Sequence, residues 1–163
     1  MMKVEQLMTR PVQTCGRGDR LDAVARIMWE GDCGCLPVVE QTDGGARVLG
    51  MITDRDVCMA AYTQGRPLPE IAVESVMAQN VRSCRPSDSI TTALKILEQN
   101  QLHRLPVLDP SDQLIGMLSL TDVAREASRE HGRARKDVTD AQIAATLEAI
   151  STPRRPYAVS VVA

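Results

Sequence analysis

The chain matches itself, and that internal duplication limits its fold more than any local propensity. Leu7-Met8-Thr9-Arg10-Pro11-Val12 aligns with Val76-Met77-Ala78-Gln79-Asn80-Val81 at an offset of 69. The register holds through residue 40 over residue 109. Eight of these 34 positions are identical: Met8/Met77, Val12/Val81, Cys15/Cys84, Asp19/Asp88, Ile27/Ile96, Leu36/Leu105, Pro37/Pro106 and Val38/Val107. A gap of three residues falls in the loop around Gly44-Gly45, and the match resumes at offset 66. There Gly50-Met51-Ile52-Thr53-Asp54-Arg55-Asp56-Val57 overlies Gly116-Met117-Leu118-Ser119-Leu120-Thr121-Asp122-Val123, with four identical pairs. A self-match at fixed period marks a repeated structural unit.

Each copy has the same local grammar. A β-prone stretch comes first, Pro11–Thr14 or Asn80–Ser83. Asp19 and Asp88 then stand where a helix N-cap belongs. The series Leu21, Val24, Ala25, Met28 and Ile90, Ala93, Leu94, Leu97 run i, i+3, i+4, i+7, one face of a helix. Gly31 and Asn100 occupy the place of a left-handed helix stop. Leu36-Pro37-Val38-Val39 and Leu105-Pro106-Val107-Leu108 read as buried strands. A turn and a second strand complete a hairpin. A further helix starts at Thr53 or Ser119.

The unit is thus β-α-β-β-α in about 60 residues, too small to hold a core alone. The expected fold is α+β: two such repeats packed sheet to sheet about a pseudo-twofold, helices outside. The expected divisions are 1–66, 67–127 and a tail over 128–163.

Composition excludes several classes. Apolar residues make up 44% and charged residues 25%, the balance of a globular chain. The net charge of −2 lacks the basic excess of a nucleic-acid binder. Trp29, Tyr62 and Tyr157 are the only aromatics, too few for base stacking. No window approaches the roughly 18 apolar residues of a membrane span, and the N-terminus has no apolar run like a secretory leader. Five cysteines, an odd number, fit reduced thiols and a cytoplasmic location better than a disulfide framework.

The hydroxyl–acid pairs Thr53-x-x-Asp56 and Ser119-x-x-Asp122 carry the candidate chemistry. The plainer reading is a capping box, in which hydroxyl and acid each satisfy a backbone N–H. The functional reading uses the same helix start as a phosphate cradle, with the carboxylate accepting a ribose diol.

Leu7-Met8-Thr9-x-Pro11-Val12, Leu36-Pro37-Val38-Val39 and Gly50-Met51-Ile52-Thr53-Asp54-Arg55-Asp56, with their second-copy partners Val76-Met77, His103-Arg104-Leu105-Pro106-Val107-Leu108-Asp109 and Gly116-Met117-Leu118-Ser119-Leu120-Thr121-Asp122, resemble a tandem pair of cystathionine-β-synthase-type (CBS) domains, or Bateman module. The resemblance covers roughly residues 3–127. It implies a non-catalytic regulatory module that binds AMP, ADP, ATP, S-adenosylmethionine or sometimes a dinucleotide in clefts between the copies. It also implies a homodimer and a downstream effector protein the sequence does not name. No other cofactor is expected.

The resemblance further implies crossed clefts, the hydroxyl–acid pair of one copy facing the first strand and Leu-Pro-Val segment of the other. One cleft would combine Thr53 and Asp56 with Ser83, His103 and Arg104, and its two cationic side chains suit phosphate. The other would combine Ser119 and Asp122 with Thr14 and Cys35, without charge at the Gly34-Cys35 counterpart. The first is therefore expected to bind phosphorylated nucleotides more tightly, and the second to stay empty or take an adenosyl sulfonium. Met51 and Met117 can line adenine or belong to the core.

Three alternatives stand beside this reading. A structural dimerisation module would leave its clefts empty. Cys33-Gly34-Cys35, or Cys15 with Cys84 across the pseudo-twofold, would support metal or redox chemistry. No P-loop, nucleophile elbow or zinc-protease motif supports an enzyme. In the tail, Arg125–Lys136 is highly charged, Thr139-Asp140 can cap a helix bearing Ile143, Leu147 and Ile150, and Tyr157–Val162 reads as a strand. This order is loosely similar to the opening of a BON domain. A helix packed on the module or its dimer mate is the simpler expectation.

Overall fold

A computed structural model describes residues 1–129 and 138–153. Copy one contains β1 (Cys15–Gly16), α1 (Leu21–Glu30), β2 (Cys35–Thr42), β3 (Gly45–Thr53) and α2 (Asp54–Gln64). Copy two contains α3 (Ile90–Asn100), β4 (Arg104–Leu108), β5 (Leu114–Ser119) and α4 (Leu120–Arg129), and α5 (Asp140–Ser151) follows. The apolar series form α1 and α3 as their period requires, burying Leu21, Val24 and Met28 in one and Ile90, Ala93, Leu94 and Leu97 in the other. The fold is α+β, two pseudo-equivalent units joined through their sheets.

Both hairpins are antiparallel and carry a bulge at the same repeat position, between Val38 and Val39 and between Val107 and Leu108. The first strand is shorter than the sequence suggests and starts later. Cys15 pairs in parallel with Val38, and Cys84 with Val107. Arg47 bridges Gln113, its own counterpart at offset 66. A residue paired with its repeat equivalent lies on the pseudo-twofold.

The helix ends differ from expectation by one residue. Asp19 and Asp88 are not N-caps. Their Oδ2 atoms accept the N–H of Gly16 and of Arg85, both at 2.7 Å, and so close the turn leading to each helix. The N-caps are Arg20, without a side-chain bond, and Ser89, whose Oγ accepts Thr92 N–H at 3.0 Å. The left-handed residues are Asp32 (φ 46°) and Gln101 (φ 50°), each one position past Gly31 and Asn100. Polar side chains tolerate this region through local hydrogen bonds, so the stop does not need glycine.

The copies exchange their leading segments. Val4, in a 3-10 turn over Val4–Gln6, is buried in the core of copy two with Leu97, Leu105 and Leu118. Val73, in the matching turn Val73–Ser75, is buried in the core of copy one with Leu21, Leu36 and Ile52. Lys3 bridges Ser89 while Ala72 bridges Arg20, and Thr9 bridges Met117 while Ala78 bridges Met51. Each pair of bridges is related by the repeat. A Cβ on Gly50 would lie 2.9 Å from the Ala78 carbonyl oxygen and from Met77 Sδ, and one on Gly116 would lie 2.6 Å from Met8 Sδ. The repeated Gly and Met are therefore the two sides of one contact, made twice.

Helix α5 packs against α3 and α4. Thr139 caps it, with Oγ1 accepting Gln142 N–H at 3.2 Å. Its covered face differs from the expected one: Ile150 is buried and Ile143 partly so, but Leu147 is 49% exposed and Thr146 is fully buried. Thr146 is tolerated because its hydroxyl bonds Glu98 Oε1 and the Gln142 carbonyl. The charged stretch beyond Arg129 up to residue 137 and the expected strand Tyr157–Val162 lie outside the described residues.

Candidate ligand-binding cleft

The hydroxyl–acid pairs sit where β3 and β5 turn into α2 and α4. At each, three hydrogen bonds form the same small ring. Asp56 Oδ2 accepts from the Thr53 N–H (2.8 Å) and the Thr53 hydroxyl (2.7 Å), and Thr53 Oγ1 accepts Asp56 N–H at 3.2 Å. Asp122 Oδ2 accepts from the Ser119 N–H (2.9 Å) and hydroxyl (2.6 Å), and Ser119 Oγ accepts Asp122 N–H at 3.1 Å. The capping box is therefore realised twice. It commits one carboxylate oxygen and leaves Oδ1: that of Asp122 lies 3.6 Å from Arg125 Nη1.

A cleft of about 350 Å³ opens between the copies. Copy one supplies Thr9, Pro11, Val12 and Gln13 from its leading segment and Asp32, Cys33, Cys35 and Pro37 from the α1–β2 junction and β2. Copy two supplies Arg104, Met117, Ser119 and Asp122. Ser119 and Asp122 of copy two and Cys35 of copy one thus line the same cleft.

Two expectations change. Arg104, grouped by the sequence with Thr53 and Asp56, lines this cleft. The β4–β5 register sets Arg104 opposite Ser119, and directly opposed residues of a hairpin project to one face. The cleft anticipated as uncharged therefore holds a guanidinium. Thr14, half-buried beside β1, is not part of its lining. His103 and Ser83 are also outside it. His103 is exposed, and its carbonyl accepts Leu120 N–H at 2.9 Å, just as the Gly34 carbonyl accepts Asp54 N–H at 3.1 Å. Thr53 and Asp56 are not among its lining residues, although the β2–β3 register sets Thr53 opposite Cys35. A second hollow of similar volume, edged by the Arg17–Glu74 ion pair, contains none of the expected residues.

Sequence reasoning missed Gln13 and Asp32, and took Cys33 only as part of a metal or redox pair with Cys35. Their common property is a place beside the α1 stop, and only a correct position for the left-handed residue Asp32 points to them. Cys33 Sγ donates to Gln13 Oε1 at 3.7 Å, which ties the leading segment to the junction.

All five cysteines are free thiols. Burial pushes Cys35 up from its ordinary value, and Arg104 opposes the shift by its charge and a hydrogen bond to the sulfur. Burial pushes Cys15 and Cys84 up to about 12, with Asp19 and Asp88 adding to it. Cys15 belongs to the core of copy one and Cys84 to that of copy two. Among the described residues no three His, Cys, Asp or Glu side chains gather as metal donors. No described helix is long and apolar enough to cross a membrane.

The CBS domain family model matches residues 4–62 and 73–129. The chain is 33% identical over 124 residues to the CBS domain-containing protein YhcV of Bacillus subtilis, covering 76% of this chain and 84% of that one. It is 28% identical to the crystal structure of Hypoxic Response Protein I with two coordinated zinc ions (TM-score 0.66), covering 77% of this chain and 98% of that one. The CBS domain pair of MJ0100, in complex with 5′-methylthioadenosine and S-adenosyl-L-methionine, has a TM-score of 0.68 at 19% identity, covering 77% and 94% of the two chains, a likeness of fold alone. With both copies matched in register with the repeat, the chain belongs to the CBS domain family.

Proposed function

We propose that the chain is a non-catalytic regulatory module that binds an adenosine-containing ligand between its copies. The observation that carries this reading is the crossed lining of the cleft, with Cys35 and the leading segment of copy one facing Ser119 and Asp122 of copy two. Asp122 can accept a ribose diol through Oδ1, the oxygen its capping ring leaves and Arg125 faces at 3.6 Å. The start of α4 offers backbone N–H groups, and Arg104 offers a fork of donors for a carboxylate or phosphate. A ligand spanning both copies favours their closed arrangement, and an effector protein can read that bias.

The charge balance bears on ligand class. Arg104 is accompanied by Asp32 and Asp122, so a ligand with little net negative charge fits better than a polyphosphate. S-adenosylmethionine and methylthioadenosine, of the kind bound by the MJ0100 pair, are favoured over ADP and ATP, and AMP falls between. Thr53, Asp56, Ser83 and His103 remain candidates for the pseudo-equivalent site. Among the described residues no three His, Cys, Asp or Glu side chains gather as a donor set for zinc.

Calorimetry of the chain with each of these five ligands tests the reading. Asp122→Ala is expected to weaken the best ligand at least about tenfold, and Asp56→Ala to change it little. Binding of none of the five would favour a structural module with empty clefts. ATP binding more tightly than S-adenosylmethionine would overturn the charge argument.

A further inference from the structure

The cleft carries two thiols on one short stretch of chain. Cys33 and Cys35 both line it, separated by Gly34. Cys33 is half-buried, and its Sγ donates to Gln13 Oε1 at 3.7 Å. Cys35 is buried, and its sulfur accepts a hydrogen bond from Arg104. Residues two apart on an extended chain point to one face, with Cα atoms about 6.4–6.8 Å apart. A disulfide takes Cα atoms at about 4.4–6.8 Å. The chain bends at Gly34, which shortens the span. The start of α2 holds that bend, because the Gly34 carbonyl accepts Asp54 N–H at 3.1 Å. A Cβ on Gly34 would also lie 3.1 Å from Asp54 Oδ2, so this approach suits glycine. The two sulfurs are close enough that the charge of Cys33 acts on Cys35.

We propose that Cys33 and Cys35 form a dithiol site that exchanges with low-molecular-weight disulfides and closes to an intrachain disulfide in the wall of the cleft. Accessibility sets the order of attack. Cys33 is the thiol that solvent reaches, so its thiolate attacks one sulfur of the small disulfide. A bond forms to Cys33 Sγ, the S–S bond of the reagent breaks, and one small thiolate leaves and takes a proton. The Cys35 thiolate then attacks Cys33 Sγ. The Cys33–Cys35 bond forms, and the second small thiolate leaves and takes a proton. Two protein thiols are oxidised, one disulfide is reduced to two thiols, and the two protons released by the protein are those the leaving groups gain. Arg104 serves the second step. Burial pushes Cys35 up, with Cys33 and Asp54 adding to it, and the guanidinium opposes them by stabilising the attacking thiolate. The chemistry is independent of what else the cleft binds.

The test treats the full, reduced chain with oxidised glutathione at mildly alkaline pH, traps free thiols with iodoacetamide, and reads tryptic peptides by mass over time. Circular dichroism confirms that each variant is folded. Cleavage after Arg26 and Arg47 isolates Cys33 and Cys35 in one peptide. In the wild type this peptide is expected to lose two hydrogens and take up no iodoacetamide, while Cys58, exposed on α2, carries a glutathionyl group. Excess reduced glutathione is expected to reopen the pair. Cys35→Ser is expected to stop at a glutathionyl adduct on Cys33. Cys33→Ser is expected to leave Cys35 reacting at least about tenfold more slowly than the wild-type pair closes. Arg104→Gln is expected to slow closure about threefold, so that the Cys33 adduct becomes visible. A wild type in which both thiols stay open to iodoacetamide while Cys58 reacts, or in which the Cys33 adduct persists unclosed, would overturn the dithiol site. Undiminished reaction of Cys35 in Cys33→Ser would overturn the order of attack, and unchanged closure in Arg104→Gln would overturn the part given to Arg104. None of these outcomes bears on adenosyl-ligand binding, which calorimetry reads separately.

Discussion

Arg104 sets its guanidinium against the sulfur of Cys35, its own counterpart at offset 69. Duplication has placed the same position twice beside the pseudo-twofold and filled it once with a cation and once with a thiol. The charge stabilises the thiolate and so opposes the effect of burial. Arg104→Gln should therefore raise the Cys35 thiol further and slow its alkylation at mildly alkaline pH. Site-resolved mass spectrometry after timed treatment with iodoacetamide reads this directly, with Cys15 and Cys84 as internal references. Faster modification of Cys35 in the variant would mean that Arg104 acts chiefly as a lid.

The two glycine contacts are unequal in what must yield. A methyl on Gly50 meets a backbone carbonyl at 2.9 Å as well as a methionine sulfur, whereas the three atoms nearest one on Gly116 all belong to the side chain of Met8. Gly50→Ala should cost about 1–3 kcal/mol, the range for overpacking, and Gly116→Ala less. Urea unfolding of both variants checks the order, and equal costs would show that the Ala78 backbone gives way as readily as a side chain.

Exchange of the leading segments predicts damage at a distance in sequence. Val73→Ala removes methyl groups from the core of copy one, although residue 73 precedes the helix of copy two by fewer than twenty positions. Destabilisation of about 1–3 kcal/mol is expected. Hydrogen exchange should quicken first in α1 and β2, not in α3 and β4. Val4→Ala should show the opposite pattern.

Cys15 and Cys84 give the stability an alkaline limit. Their folded values stand near 12 against an ordinary 9.0. Below pH 9 both states hold the protons and the contribution is fully present. Between 9 and 12 the unfolded chain releases protons that the folded chain retains, so stability falls as pH rises. Each thiol adds a slope of about 1 kcal/mol per pH unit. Chemical unfolding from pH 7 to 10 should show the decline, and Cys84→Ala should flatten it. An unchanged slope in Cys84→Ala would assign the decline to other groups.

The duplication was legible because it falls on residues with strict local duties. The helix period, the Leu-Pro-Val strands and the Gly-Met-Ile/Leu runs all impose one geometry, and the hairpins and helices follow. The hydroxyl–acid pairs were legible as caps for the same reason. What the sequence concealed depends on spatial register. Arg104 looked like a phosphate ligand of Thr53 and Asp56, yet its hairpin position puts it with Ser119 and Asp122. Gln13 and Asp32 carry no motif and enter the cleft only because the left-handed turn comes one residue later than glycine suggested. The buried threonine of α5 escaped a reading by apolar period, since its place is set by a hydrogen bond to Glu98.

The crossing of the leading segments also sets an order of assembly during synthesis. The core of copy one includes Ile71 and Val73, so it stays open until the chain is translated well past α2. The core of copy two includes Val4, which emerges before the rest of that core and must wait for its site to be made. Neither half can close as the ribosome releases it. The nascent chain must keep the Val4 segment available until β4 and β5 arrive, and severing the gene between the copies would strand both arms.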